Sequence, residues 1–283
     1  MHAVPVARAL LVPLAAWLAY AFLIRRPSNQ RTWEYGMETL ADISINGRQV
    51  HVRHVRDFGW GPDGPRSSDY VDRTFDVDRI SRVWFIQEPF TLGPFGGFKG
   101  VAHTYFVFDF EDPSTAPVAV SVEARREKGE TFDAFRGLVN TYELIYIWGT
   151  ERDVTGSRAV REKTSLYMFP LSISRAAAQQ LFLQMAEATR QLATRPRFYN
   201  SLTSNCTNEL AKAANLVQPG AVPLNIGLIF PGYAHEVLYR LGFLPHDLPL
   251  DQLRQKSSIS DFVKAEYDQP DFSPRLRAYL GAA

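Results

Sequence analysis

Apolar and polar positions alternate along residues 103–110 and again along 116–123, and that alternation defines a hairpin. Phe106, Phe108 and Phe110 fall on one face of the first run; Val118, Val120 and Val122 fall on one face of the second. A period of two is the signature of a strand that buries one face. Bringing the two apolar faces together pairs Phe106 with Val120 and Phe108 with Val118, and leaves residues 111–115 as the loop. A slip of one residue would turn every side chain over, so the pattern fixes the register. The same register sets His103 across from Glu123 on the other face. Cross-strand Cβ atoms lie roughly 4.5–5.5 Å apart, close enough for an imidazole and a carboxylate to hydrogen-bond.

Other stretches read in the same way. Residues 41–45 and 48–55 flank Asn46-Gly47, the dipeptide of a tight hairpin turn. Residues 57–69, rich in Gly, Pro, Ser and Asp, predict a loop. Residues 82–87 predict a short strand, and the Gly/Pro/Phe run 88–100 a loop able to act as a lid. Strands are expected at 142–148 and 165–169, with a charged turn at Glu151-Arg152-Asp153 between them. Ser174 caps a helix running to about Thr194, with Leu181, Phe182, Met185 and Leu192 near one face. Shorter helices are expected at 234–241 and 259–267, followed by a fraying end. The expected fold class is α+β, an antiparallel sheet packed against helices.

Residues 4–24 are apolar apart from Arg8 and end at Arg25-Arg26-Pro27. Their length is close to the ~20 residues of a membrane helix. No small-residue cleavage pattern precedes Arg25, so an N-terminal transmembrane anchor is expected rather than a signal peptide. Arg25, Arg26 and Arg31 follow the uncharged stretch 9–24 and Arg8 precedes it, an asymmetry that by itself would leave the main domain cytoplasmic.

The chain holds one cysteine, Cys206, where the polar loop 199–205 turns into a helical stretch. Asn205 or Thr203 can cap that helix. The positive end of a helix favours thiolate over thiol, and thiolate is the nucleophile. A thiolate nucleophile needs a base, and the base needs a third group to fix its orientation. Of the six histidines His103 is the candidate base, because the hairpin supplies Glu123 as its orienting carboxylate. Arg125 shares the face of Glu123 and could meet a phosphate or a carboxylate, or form a structural salt bridge. His51 and His54 lack acidic partners at metal-ligand spacing, and His235 beside Glu236 reads as a solvated helix pair.

Composition narrows the field. A net charge of +1 gives no broad nucleic-acid surface, and a single cysteine excludes an intramolecular disulfide and any cysteine-rich metal site. No G-x-S-x-G elbow, P-loop, dinucleotide fingerprint or H-E-x-x-H motif is present, and no cofactor or metal is expected.

Residues 102–108 (AHTYFVF), 121–130 (SVEARREKGE), 142–146 (YELIY), 151–154 (ERDV) and 199–207 (YNSLTSNCT) resemble, in that order, the successive blocks of the Lnb-type periplasmic domain family. Residues 25–33 (RRPSNQRTW) and 52–58 (VRHVRDF) match as well. The resemblance covers about 27–215 and leaves 216–283 as a C-terminal extension. It implies a permuted papain-like thiol enzyme, similar to NlpC-type and lecithin–retinol acyltransferase-like proteins, with histidine before cysteine in the chain. The family's cysteine, histidine and acidic residue fall on Cys206, His103 and Glu123. Asn205, Thr207, Arg125 and Tyr105 are the residues expected to complete its oxyanion or substrate site.

The implied function is lipoprotein N-acylation. Cys206 would take an acyl chain from a membrane phospholipid as a thioester and pass it to the N-terminal amine of a diacylated lipoprotein. The implied layout is an anchor over 1–26 in the bacterial inner membrane and a periplasmic thiol-acyltransferase domain over 27–283, which overrides the charge asymmetry. The alternatives are a membrane-anchored cysteine peptidase or amidase using the same residues with water, and a tethered binding domain without catalysis.

Overall fold

The hairpin expected from the alternation lies at the centre of the sheet. In the computed structural model, which describes residue 16 and residues 19–90 and 100–281, its strands are β5 (Ala102–Phe110) and β6 (Val118–Arg125). Phe106 pairs with Val120 and Phe108 with Val118, as the apolar faces require. The other strands are β1 (Asp42–Asn46), β2 (Gln49–Gly61), β3 (Gly64–Asp76), β4 (Ile80–Pro89), β7 (Glu143–Thr150) and β8 (Tyr167–Pro170). They form one sheet in the order β1-β2-β7-β6-β5-β4-β8, with β3 on β2. All pairings are antiparallel except the β2–β7 contact, a single parallel pair at Arg56 and Gly149.

Both faces of the central strands are covered. Even-numbered residues of β5, Phe106 and Phe108, enter a core with Val120, Val122, Phe85 and two helices. These are α2 (Arg175–Thr194), entered after α1 (Glu151–Gly156), and α3 (Cys206–Val217). Ser174 caps α2 by accepting the N–H of Ala177 at 3.1 Å, and Leu181, Phe182, Met185 and Leu192 are its buried face. Each such side chain, fully buried, contributes roughly 1.5–3 kcal/mol. Odd-numbered residues Tyr105 and Val107 enter a second core on the other face, with Trp84, Leu166 and Met168.

The cover over that second face comes from the C-terminal part. After α4 (Ile226–Ile229) and α5 (Ala234–Arg240) the chain forms α6 (Leu250–Lys256), α7 (Ser260–Glu266) and α8 (Phe272–Tyr279). Ile259, Val263, Tyr267, Phe272, Leu276 and Leu280 are all buried there. The expectation of a fraying end is therefore corrected. Arg277 clamps α8 further, reaching Asp109 at 2.6 Å and Glu151 at 2.7 Å.

Four other expectations change. Residues 57–69 are not a loop but the far half of a long β2–β3 hairpin, with Pro62-Asp63 at its tip. β3 pairs only with β2, so its polar residues face water and Pro65 costs no inner-ladder bond. The Glu151-Arg152-Asp153 turn is the buried first turn of α1: Asp153 pairs with Arg56 at 2.7 Å and accepts from the Trp60 indole at 2.8 Å. In the β1–β2 turn Asn46 pairs with Gln49, so Gly47-Arg48 is the connection; Gly47, at φ +60°, supplies the left-handed conformation. Glu88, expected in the lid, belongs to β4 and is buried. Of that expected lid, residues 91–99 lie outside the described residues.

Most of the expected anchor lies outside them too. Its last turn, Tyr20–Ile24, is described; Asn140 donates to the Ala21 carbonyl at 3.1 Å, and Arg25 pairs with Glu127 at 3.0 Å. Among the described residues no helix is long and apolar enough to cross a membrane.

Candidate active site

The sheet parts at one place. β5 stays paired with β4 as far as Ala102, and β6 stays paired with β7 as far as Arg125. Between β5 and β6 the ladder ends at Tyr105 and Ser121, short of His103 and Glu123. The amino end of α3 packs where the two strands separate.

Cys206 is the first residue of α3. Asn205 caps the helix by accepting the Asn208 N–H at 2.8 Å, while its amide donates to the carbonyls of Ser201 and Leu228 at 2.9 Å each. The cap leaves the N–H groups of Cys206 and Thr207 without a partner among the described residues, as the first turn of a helix generally does. The thiol is buried, at 4% exposure, on the same core as Leu210 and Ala213. Burial by itself pushes its pKa up. The positive His103 ring, a hydrogen bond from that ring and the backbone N–H of Thr104 outweigh burial and bring it below the ordinary thiol value. The Thr207 hydroxyl lies 2.9 Å from that of Thr104, tying the helix tip to β5.

His103 holds its Nε2 2.7 Å from Ser121 Oγ and 3.1 Å from Glu123 Oε1. Ser121 donates its one proton to Glu123 at 2.7 Å. Its oxygen must therefore accept from His103, which places a proton on Nε2. The ring lies against Tyr105, centroids 5.8 Å apart. Burial would lower the imidazole pKa; the negative charges of Glu123 and the Cys206 thiolate reverse this and push it up to about 10. Glu123, in turn, is buried yet held far below the usual carboxylate range by His103 and Arg158. Both shifts favour the thiolate–imidazolium form of the pair.

Arg158, which the sequence reading did not single out, completes the site. It sits in a wide π-helical turn, Ser157–Glu162, a geometry that recurs at functional sites. Its Nη2 is 2.5 Å from Glu123 and its Nε 2.9 Å from Glu88. Glu88 accepts from the Thr164 hydroxyl at 2.6 Å. Burial raises the Glu88 pKa, opposed by the Arg158 charge. The guanidinium also covers the Tyr105 ring at 4.9 Å. A buried arginine shared between two carboxylates fixes the position of both.

The remaining candidates are placed as follows. Arg125 does not reach the cleft, which corrects its expected substrate role. It is buried on the Trp33 ring at 4.0 Å and donates to the carbonyls of Met37 and Glu38 at 2.8 Å each. Burial lowers its pKa to about 10. Tyr105 is fully buried beneath the imidazole and does not line the cleft. The Asn205 side chain is spent on the cap, so Asn205 and Thr207 contribute position, and Thr207 its backbone N–H. His235 is buried rather than solvated; it stacks on Phe169 at 5.8 Å and burial lowers its pKa to about 4. Arg158 and Ser121 were legible only in part: Ser121 sits two residues before Glu123 on the same face, but nothing local marks Arg158.

The sulfur and imidazole open on a cleft of about 380 Å³. Across α3 from it, with Thr207 on its wall, lies a second cavity of about 320 Å³ lined by Phe85, Phe106, Leu181, Leu210 and Val237 and by no charged residue.

Fold and site together define an α+β domain in which a helix-tip cysteine, a strand histidine and a glutamate converge. The family model described as the Lnb N-terminal periplasmic domain matches residues 66–232, more than half of the chain. The chain belongs to that family of periplasmic domains. The match starts later and ends later than the blocks read from the sequence, and it contains His103, Glu123, Arg158 and Cys206. No curated protein and no solved structure matches the chain.

Proposed function

We propose that this protein is a cysteine acyltransferase that moves an acyl chain from a membrane phospholipid to the N-terminal amine of a diacylated lipoprotein. The observation that carries the proposal is the convergence on one cleft of Cys206 and a His103 ring that is backed by Ser121, Glu123 and Arg158. The histidine strand precedes the cysteine helix, the reverse of papain's order, and this supports a permuted papain-like fold. Residues 4–24 would anchor the chain in the inner membrane, beside both lipid substrates.

The Cys206 thiolate attacks the ester carbonyl carbon of the phospholipid. The N–H groups of Cys206 and Thr207 are the donors free to hold the oxyanion that develops. Imidazolium His103 gives its proton to the departing glycerol oxygen as the C–O bond breaks, leaving a thioester and a lysophospholipid. The amine then attacks the thioester carbon. Neutral His103 takes the amine proton, the C–S bond breaks, and the amide and the thiolate result. Glu123 keeps the ring oriented throughout and stabilises it whenever it carries the proton.

The test is intact-mass analysis of the full chain incubated with phospholipid, with and without a diacylated lipopeptide. An adduct of one acyl mass on wild type, absent in Cys206→Ser and discharged by the lipopeptide, is the expected result. Peptide cleavage with no adduct would replace this reading with that of a cysteine peptidase or amidase. Wild-type function that survives both Cys206→Ser and His103→Ala would leave a binding domain.

A further inference from the structure

Four arginines, Arg56, Arg126, Arg158 and Arg161, line the cleft that holds Cys206 and His103. Two are committed: Arg56 to Asp153 at 2.7 Å, and Arg158 to Glu88 and Glu123. Arg161 lies over the Trp60 ring at 4.9 Å and, among the described residues, pairs only with its neighbour Glu162, at 3.2 Å. Arg126 differs from all three. Its guanidinium makes no hydrogen bond or ion pair among the described residues, although its Nε is buried from water.

The backbone holds Arg126 in place. Its N–H contacts Met37 sulfur at 3.4 Å, and its carbonyl accepts from the Glu34 N–H at 2.9 Å. Glu34 lines the same cleft, but its carboxylate oxygens take the N–H groups of Tyr35 at 3.1 Å and Gly129 at 2.9 Å. A donor removed from water without an acceptor is costly, and native proteins rarely keep one without a reason. A guanidinium is also the group best shaped to receive a phosphate through two parallel N–H bonds.

We propose that Arg126, assisted by Arg161, binds the anionic phosphodiester of the donor lipid and so places its ester at Cys206. The proposal rests on the acyl-transfer reading for the identity of the ligand. The anion site itself follows from the unpartnered guanidinium. Arg126 is a substrate-binding residue here, whereas Arg125, its sequence neighbour on the opposite face, is structural.

Two measurements on the full chain test it. The first follows alkylation of Cys206 by iodoacetamide in the presence of glycerophosphoglycerol, the deacylated headgroup of phosphatidylglycerol, or of glycerol. The phosphodiester should slow wild-type alkylation several-fold, leave Arg126→Gln unaffected and act partly on Arg126→Lys; glycerol should do nothing. The second follows acyl-adduct formation from dioctanoyl phosphatidylglycerol and from dioctanoylglycerol, which lacks the phosphate. Arg126→Gln should raise the half-saturating phospholipid concentration about tenfold or more and leave the neutral ester unchanged. Equal protection of wild type and Arg126→Gln, or no protection of either, overturns the anion site. Absence of any adduct on wild type would refute acyl transfer while the alkylation result still judges Arg126.

Discussion

Arg158 Nη2 lies 2.5 Å from Glu123 Oε1, and its charge helps keep ionised the carboxylate that faces His103. Removing the guanidinium leaves Glu88 and Glu123 buried without their shared cation. Breaking a buried pair from one side costs roughly 3–5 kcal/mol. Arg158→Gln should therefore lower the urea midpoint sharply, and the double variant with Glu88→Gln should recover part of the loss. Equal stability of wild type and Arg158→Gln would show that Arg158 does not hold the site together.

Cys206 reactivity should depend on His103. The ring holds the thiol below its ordinary pKa, so alkylation by iodoacetamide at pH 7 should be fast in wild type. In His103→Ala the Thr104 N–H and hydroxyl remain, and burial pushes the other way. The pH midpoint of alkylation should move upward, and the rate at pH 7 should fall by about 10²–10⁴-fold if the general-base range applies.

Activity should decline on the alkaline side near pH 10, where His103 loses its proton. Glu123→Gln removes the carboxylate charge that raises the ring, so this limb should shift toward neutral pH. An alkaline limb unmoved by Glu123→Gln would rule out Glu123 as the orienting group.

Stability should follow the same two groups. The folded pKa of His103, about 10, lies above its ordinary 6.5. Its contribution is complete below pH 6.5 and is lost as pH rises through 10. Glu123 is depressed below 4.5, so its contribution is present above that pH and fades as pH falls through its folded value. Cys206, depressed below its ordinary 9.0, gains what His103 loses between pH 7 and 9, so the wild-type unfolding free energy should fall mainly from pH 9 upward, whereas that of Cys206→Ser should already fall from pH 7; urea titrations at several pH values measure the difference.

Gly156→Ala tests the C-terminal cover. A Cβ there would meet the Tyr267 ring at 2.1 Å, and Tyr267 accepts the Trp60 N–H at 2.8 Å. Ring and backbone cannot both stay, so a loss of about 1–3 kcal/mol is expected. Faster hydrogen exchange should appear in α7 and α8, and in Arg158 two positions on.

The sheet centre and the site were legible where local pattern carries the information. Alternation placed Phe106 across from Val120 and thereby His103 near Glu123, and capping chemistry placed Ser174 at one helix start and offered Asn205 or Thr203 at another, where Asn205 is the cap. What was not legible depends on distant partners. Asp153 and Glu151 look like solvent-facing turn residues until Arg56 and Arg277 arrive from far along the chain. Arg158 looks like any arginine, and the Gly- and Pro-rich residues 57–69 conceal a hairpin because the edge position of β3 frees its side chains from apolar alternation. Arg125 shares the face of Glu123 by alternation, yet Arg126 is the one that lines the cleft, because alternation cannot say which face meets the cleft once the strands diverge.

That divergence of β5 and β6 sets protein stability against access to the sulfur. Adjacent strands in a closed ladder stand only about 4.8 Å apart, too near for a helix tip to reach an imidazole between them. Substitutions near Thr104 or Val122 that zipped the two strands together would add backbone bonds and raise the melting temperature while closing the doorway, so selection for hardiness alone should drift toward a sturdier, silent protein.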